Sequence, residues 1–184
     1  MKKLFVLSAL FFISTSILAQ SPLRKGTYTV GGNISFSNYS EDGNSGSTSF
    51  FILAPNLGYF FVNNFYTGLS LQYTHYSASS GDFSNSSYGL GPAIRYYFSK
   101  NNLKPFLGIN YTYSKTTESN SDDENSQSDF TVSSGINFFV TNYFALEGKI
   151  SYSFLSRNSS STGYSNTVKS KLLNIGIGAN YFIN

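Results

Sequence analysis

Apolar and polar residues alternate along most of the chain with a period of two. In the stretch Tyr28 to Phe36, one face carries Tyr28, Val30, Ile34 and Phe36, and the other carries Thr29, Gly31, Asn33 and Ser35. Successive side chains of a strand point to opposite sides of the sheet, so this period predicts strands with one apolar face and one polar face. The pattern returns in Phe51, Leu53, Pro55, Leu57, Tyr59, in Leu69, Leu71, Tyr73, and in Tyr88, Leu90, Pro92, Ile94, Tyr96. It continues through Leu107, Ile109, Tyr111, Tyr113, then Phe130, Val132, Ile136, Phe138, and then Leu146, Ile150, Tyr152, Phe154. Leu173, Ile175, Ile177 and Tyr181 close the series. The opposite positions are mainly Gly, Ser, Thr and Asn. Eight segments give an even count.

The connections alternate as well. Short ones fall at Val62 to Asn64, Ser99 to Leu103 and Val140 to Tyr143. Long polar ones fall at Ser37 to Ser47, Ser77 to Ser86, Ser114 to Ser128 and Leu155 to Thr167. Alternating tight turns and long loops mark a transmembrane barrel, and strands of about ten residues suffice to cross a bilayer at a tilt. Aromatic residues crowd the short turns (Tyr59, Phe61, Tyr96, Phe98, Phe138, Tyr143, Tyr181) and recur toward the long loops (Phe36, Phe51, Tyr73, Tyr88, Phe130, Phe154). Two aromatic girdles around an aliphatic band are the pattern of a lipid-facing wall, because amphipathic rings prefer the headgroup level. The expected fold is therefore all-β, an eight-stranded antiparallel up-and-down transmembrane β-barrel. Periodicity alone does not say which face points out, so a soluble lipocalin-like barrel holding an apolar ligand stays open as the inverse reading.

The ends of the chain extend this picture. Lys2 and Lys3 precede the apolar run Leu4 to Leu18, and Ala19 is small enough for cleavage. This is the layout of an export signal, which divides the chain into a cleaved segment, 1–19, and a barrel domain, 20–184. Its removal changes the charge from 12 Lys+Arg against 9 Asp+Glu to 10 against 9, or from +3 to +1. A nucleic-acid partner loses its main support with it. Charged residues make up 11% of the chain, against roughly 25% in soluble domains. With no Cys and one His, neither a disulfide framework nor a transition-metal site is expected, and no cofactor is implied.

The segments Pro55-Asn56-Leu57-Gly58-Tyr59-Phe60-Phe61 and Gly89-Leu90-Gly91-Pro92-Ala93-Ile94-Arg95-Tyr96-Tyr97-Phe98 resemble the small outer-membrane β-barrel family, the OmpA/OmpX-like barrels. The ending Gly178-Ala179-Asn180-Tyr181-Phe182-Ile183-Asn184 is similar to a barrel-assembly signal, though it closes in Ile183-Asn184 rather than Phe. The resemblance covers the whole mature chain. It implies a monomer in the cell outer membrane, inserted by the barrel-assembly machinery among outer-membrane lipid and lipopolysaccharide. It specifies architecture and says little of activity.

Candidate chemistry is sparse. Eight strands enclose a lumen just wide enough for side chains to fill. By parity Phe60, Tyr97, Phe106, Phe139 and Phe182 point inward near the short turns as a plug, and Arg95, Glu147 and Lys149 also point inward as a structural ion network. Arg95 and Glu147 each lie about four residues from a short turn and are expected to meet across the lumen, since buried charges require partners. The expected role is structural, with four long loops presented outside for adhesion, envelope integrity or an extracellular ligand, and not general diffusion. A lipid-modifying alternative rests on His75 and Ser77, which share a strand face and resemble the His-x-Ser arrangement of outer-membrane lipid A deacylases, without an acid at that family's spacing. The acidic segment Glu118 to Asp129, with Asp122-Asp123-Glu124, lacks the spacing of a formed calcium loop and is expected to be solvated.

Overall fold

The computed structural model describes residues 22–40, 47–78, 83–98, 102–117, 125–161 and 164–184. The expected signal segment lies outside the described residues. Eight strands follow one another: β1 (Tyr28–Ser40), β2 (Ser47–Val62), β3 (Phe65–Ala78), β4 (Phe83–Tyr97), β5 (Leu103–Thr117), β6 (Asn125–Phe139), β7 (Phe144–Ser161) and β8 (Tyr164–Ile183). Each pairs antiparallel with its neighbours, and β1 pairs with β8 to close the barrel. Closure gives the strand backbone partners on both sides through the membrane-spanning part, as a backbone without water in lipid requires.

The apolar face points outward. Val30, Ile34, Leu57, Leu69, Leu107, Ile150 and Ile177 are all exposed, while Thr29, Asn33, Ser35, Asn56, Thr131, Ser133 and Ser151 are buried inside. This overturns the soluble lipocalin-like alternative, which needs the apolar set inside. Ile177 is 72% exposed in the middle of β8, level with Ile34 of β1. An arginine at such a position must be taken into hydrocarbon. Ile177→Arg is expected to lower the barrel's stability by about 2–4 kcal/mol, measured by urea unfolding from lipid vesicles.

Strands run further than the ten residues expected, from 13 in β1 to 20 in β8. The polar segments read as long loops are largely hairpin extensions. Ser, Thr and Asn stretches such as Ser156–Ser161 pair residue by residue with Tyr164–Lys169. Polar side chains do not interrupt a ladder whose bonds are made by backbone, so the hairpins continue above the membrane. Residues 41–46, 79–82, 118–124 and 162–163 at their tips lie outside the described residues.

Two local features position the interior. The turn at Asn63-Asn64 places Asn64 at φ +65°, a left-handed conformation Asn tolerates better than most residues. In β4 the ladder to β5 passes from Leu90–Tyr113 to Ala93–Asn110, skipping Gly91 and Pro92. A Cβ on Gly91 would lie 1.7 Å from the Tyr111 carbonyl oxygen, so only glycine allows this close approach of the two backbones.

Candidate functional site: the barrel interior

The short-turn end of the lumen is packed with rings. Phe60, Tyr66, Tyr97, Phe106, Phe139 and Phe182 are all buried. Their centroids form a chain: Tyr97 to Phe106 5.4 Å, Phe60 to Tyr97 5.7 Å, Phe60 to Phe182 6.2 Å and Phe139 to Phe182 4.8 Å. These tilted arrangements are those favoured by the quadrupoles of aromatic rings. The segment before β1 folds beneath them. Leu23 is fully buried, and its carbonyl accepts from the Asn64 amide at 2.8 Å. The Gly26 amide donates to the Phe60 carbonyl, and the Phe60 amide donates to the Thr27 carbonyl. Leu23 escaped the sequence reading because it stands outside any alternating segment. An apolar residue just before the first strand was its one signal.

Above the rings lies a charged layer. Arg95 Nη1 donates to Glu147 Oε2 at 2.8 Å, joining β4 to β7 across the interior. Asn180 Nδ2 donates to the same oxygen at 2.8 Å. The guanidinium carbon sits 4.9 Å from the Phe106 centroid and 5.5 Å from that of Tyr66, so the cation also rests on these rings. Lys149, two residues beyond Glu147 on the same inward face, has no carboxylate within ion-pair distance among the described residues.

The outer half of the interior is open. A cavity of about 870 Å³ has Arg95, Lys149 and Tyr66 at its base. One wall is polar, from Ser70, Gln72, Thr74, Gln127, Asp129, Thr131 and Ser133. Gln127 Nε2 donates to Asp129 Oδ1 at 2.9 Å, and the Arg157 guanidinium donates to Gln127 Oε1. The opposite side is mixed: Phe50, Ile52 and Ala54 from β2, Leu155 from β7 and Leu172 from β8 stand among Ser151, Ser153, Lys169 and Lys171. Side chains therefore do not fill the lumen along its whole length, contrary to expectation. The unbroken apolar run Phe50 to Pro55 was the missed signal: where both faces of a strand are apolar, the inward face is apolar too.

The residues of the lipid-modifying alternative are only partly brought together. His75 faces outward, and its Nδ1 lies 3.2 Å from Ser86 Oγ, which also meets the Tyr73 hydroxyl at 3.1 Å. Ser77 belongs to the same strand, but its side chain lies outside the described residues. Of the acidic segment, 118–124 lies outside them too, while Asp129 points into the barrel beside Gln127. No cluster of metal-binding side chains occurs among the described residues.

Solved structures of outer-membrane barrels superpose on this architecture. Neisserial surface protein A aligns with a TM-score of 0.61 at 19% identity, covering 85% of this chain and 97% of that one. The outer membrane protein OprG from Pseudomonas aeruginosa aligns at 0.60 with 12% identity, covering 88% and 97%. AlkL in lipid bilayers aligns at 0.52 with 13% identity, covering 92% and 96%. At these identities the likeness is one of fold. No curated protein matches the chain in sequence. The model of the outer membrane protein beta-barrel domain family matches residues 5–181, and with the closed eight-stranded, apolar-outward barrel this makes the chain a member of that family, an integral outer-membrane β-barrel protein.

Proposed function

We propose that the protein is a structural and surface-presenting barrel, closed to general diffusion, which carries its polar hairpins outside the cell for adhesion or envelope integrity. The observation that carries this reading is the asymmetry of the interior. Buried rings and Leu23 fill the short-turn end, while long polar hairpins extend from the other. In this reading Phe60, Tyr97, Phe106, Phe139 and Phe182 seal the barrel, and Arg95, Glu147 and Lys149 belong to a charged layer that stiffens it. Binding falls to the hairpin tips, because exposed connections on a rigid scaffold are where recognition concentrates. Export by the segment 1–19, insertion by the barrel-assembly machinery, contact with lipopolysaccharide and a monomeric state complete the proposal. The role is non-enzymatic: the group beside His75 is the Ser86 hydroxyl, whereas an activated serine needs its histidine oriented by a further group.

The test is liposome swelling with the mature chain refolded into vesicles. Its folded state is read by a gel mobility shift on boiling. Vesicles carrying folded barrel are expected to swell in small sugars no faster than empty ones. Swelling at a rate proportional to barrel content would overturn the closed reading. Shortening the tips 41–46, 79–82, 118–124 and 162–163 is expected to leave the mobility shift intact while removing whatever cell-surface binding the whole chain confers.

A further inference from the structure

The barrel is not closed over its full height. β1 and β8 pair from Tyr28–Ile183 to Phe36–Ile175, and there the ladder ends. Both strands continue beyond it. Ser37–Ser40 pair with β2 alone, and Tyr164–Asn174 pair with β7 alone. The two strands thus part at the level of Phe36, in the outer aromatic girdle. The cavity reaches this seam: five consecutive β8 residues, Val168 to Leu172, border it, although their side chains alternate between the two faces of the strand.

The chemistry changes along the path inward from the seam. Phe50, Ile52, Leu155 and Leu172 face in near the opening and are apolar, while Lys169, Ser170 and Lys171 border the seam itself. At the base stand Arg95, paired with Glu147, and Lys149, which makes no ion pair at contact distance among the described residues. Lys149 shares a hydrogen-bonded row with Gly176 of β8 and Ser35 of β1, just below the last closed pair. The space over Gly176 is taken by the small Ser35 side chain, whose Oγ would lie 2.4 Å from a Cβ placed there. An inward ammonium in a low-dielectric interior favours an anionic partner, and the apolar side chains above it favour a hydrocarbon chain, with Lys169 and Lys171 at the polar rim of the seam.

We infer that the outer half of the barrel is a binding site for a single-chain amphiphile with an anionic head, of the fatty carboxylate type. The head sits against Lys149 at the base, and the chain rises past Phe50, Ile52, Leu155 and Leu172 to leave between β1 and β8. A volume of about 870 Å³ is within the range of sites that hold small ligands. The inference goes beyond the structural role proposed above but rests on its closed short-turn end, which makes the cavity a pocket rather than a passage. Liposome swelling tests that closure separately.

The chain contains no Trp, so a single reporter can be placed at will. Leu155→Trp, refolded into zwitterionic phosphatidylcholine vesicles and checked by its mobility shift on boiling, is titrated with brominated palmitate and with the methyl ester of the same acid. Ile177→Trp, whose indole faces bulk lipid, reports partitioning into the membrane alone. Saturable quenching of the Leu155→Trp reporter is expected, with the carboxylate at least about tenfold tighter than the ester, the value of one charge-assisted contact. Adding Lys149→Met should bring acid and ester within about twofold, and Lys149→Arg should restore the preference. If Lys149→Met does not fold, Lys149→Gln serves in its place. Equal binding of acid and ester in the parent, or quenching no stronger than at Ile177→Trp, overturns the assignment.

Discussion

Glu147→Ala is expected to destabilise the barrel by about 3–5 kcal/mol, because it removes the carboxylate partner of a largely buried guanidinium. The side chain of Glu147 is fully buried and that of Arg95 is 11% exposed. Arg95 is fixed on one side by Phe106 and Tyr66, and on the other by the 2.8 Å contact with Glu147. Asn180 loses its acceptor at the same time. Equilibrium urea unfolding from lipid vesicles reads the loss directly. The informative companion is the double variant Arg95→Met with Glu147→Leu, expected to return most of the stability, since apolar groups of similar volume often replace a buried ion pair at little cost. If Glu147→Ala alone unfolds within about 1 kcal/mol of the parent, Arg95 has found water or another partner, and the charged layer does not hold the strands together.

Phe182→Ala should have an effect of similar size from a different cause. Phe182 is buried in the plug, with its ring 4.8 Å from Phe139 and 6.2 Å from Phe60. Truncating it removes a large apolar surface and leaves a void that neighbours anchored on separate strands cannot collapse into. A loss of about 3–5 kcal/mol is expected by the same unfolding measurement. The adjacent Tyr181 faces lipid and is 51% exposed. Tyr181→Ala gives the control, because hydrocarbon fills the space it leaves, and its cost should be distinctly smaller. Equal costs at the two positions would mean that the packing at the short-turn end is loose. Phe60→Ala combined with Phe182→Ala should then depart from additivity, since the two rings touch.

Much of the architecture was legible because lipid constrains both faces of a barrel strand at once. Ile34, Leu69 and Ile177 had to be apolar to meet hydrocarbon, and Asn33, Thr131 and Ser133 had to be small and polar to share a narrow interior. One residue of slip would exchange the two sets. The inward position of Arg95, Glu147 and Lys149 followed from the same parity. The reading was weakest where that constraint ends. Above the outer girdle, Ser, Asn and Thr carry no alternation, so the paired extensions of β7 and β8 looked like loops. Their order comes from backbone pairing across the hairpin, which composition does not record. Leu23 was missed for a related reason: its burial depends on a segment folding back beneath the barrel, not on any periodic neighbour.

The sequence by itself determined the strand number, the order of strands, which residues share a face of the sheet and a resemblance to the family. Each of these depends on local alternation and on short connections, which a linear pattern preserves. Tertiary structure alone decided the heights at which residues from different strands meet. The contact of Arg95 on β4 with Glu147 on β7, the extent of the plug and the depth of the cavity above it all depend on the stagger that closes the barrel. So does the point at which β1 and β8 part. A strand's own residues specify which side chains share a face, but closure and the neighbour's register specify what they meet there.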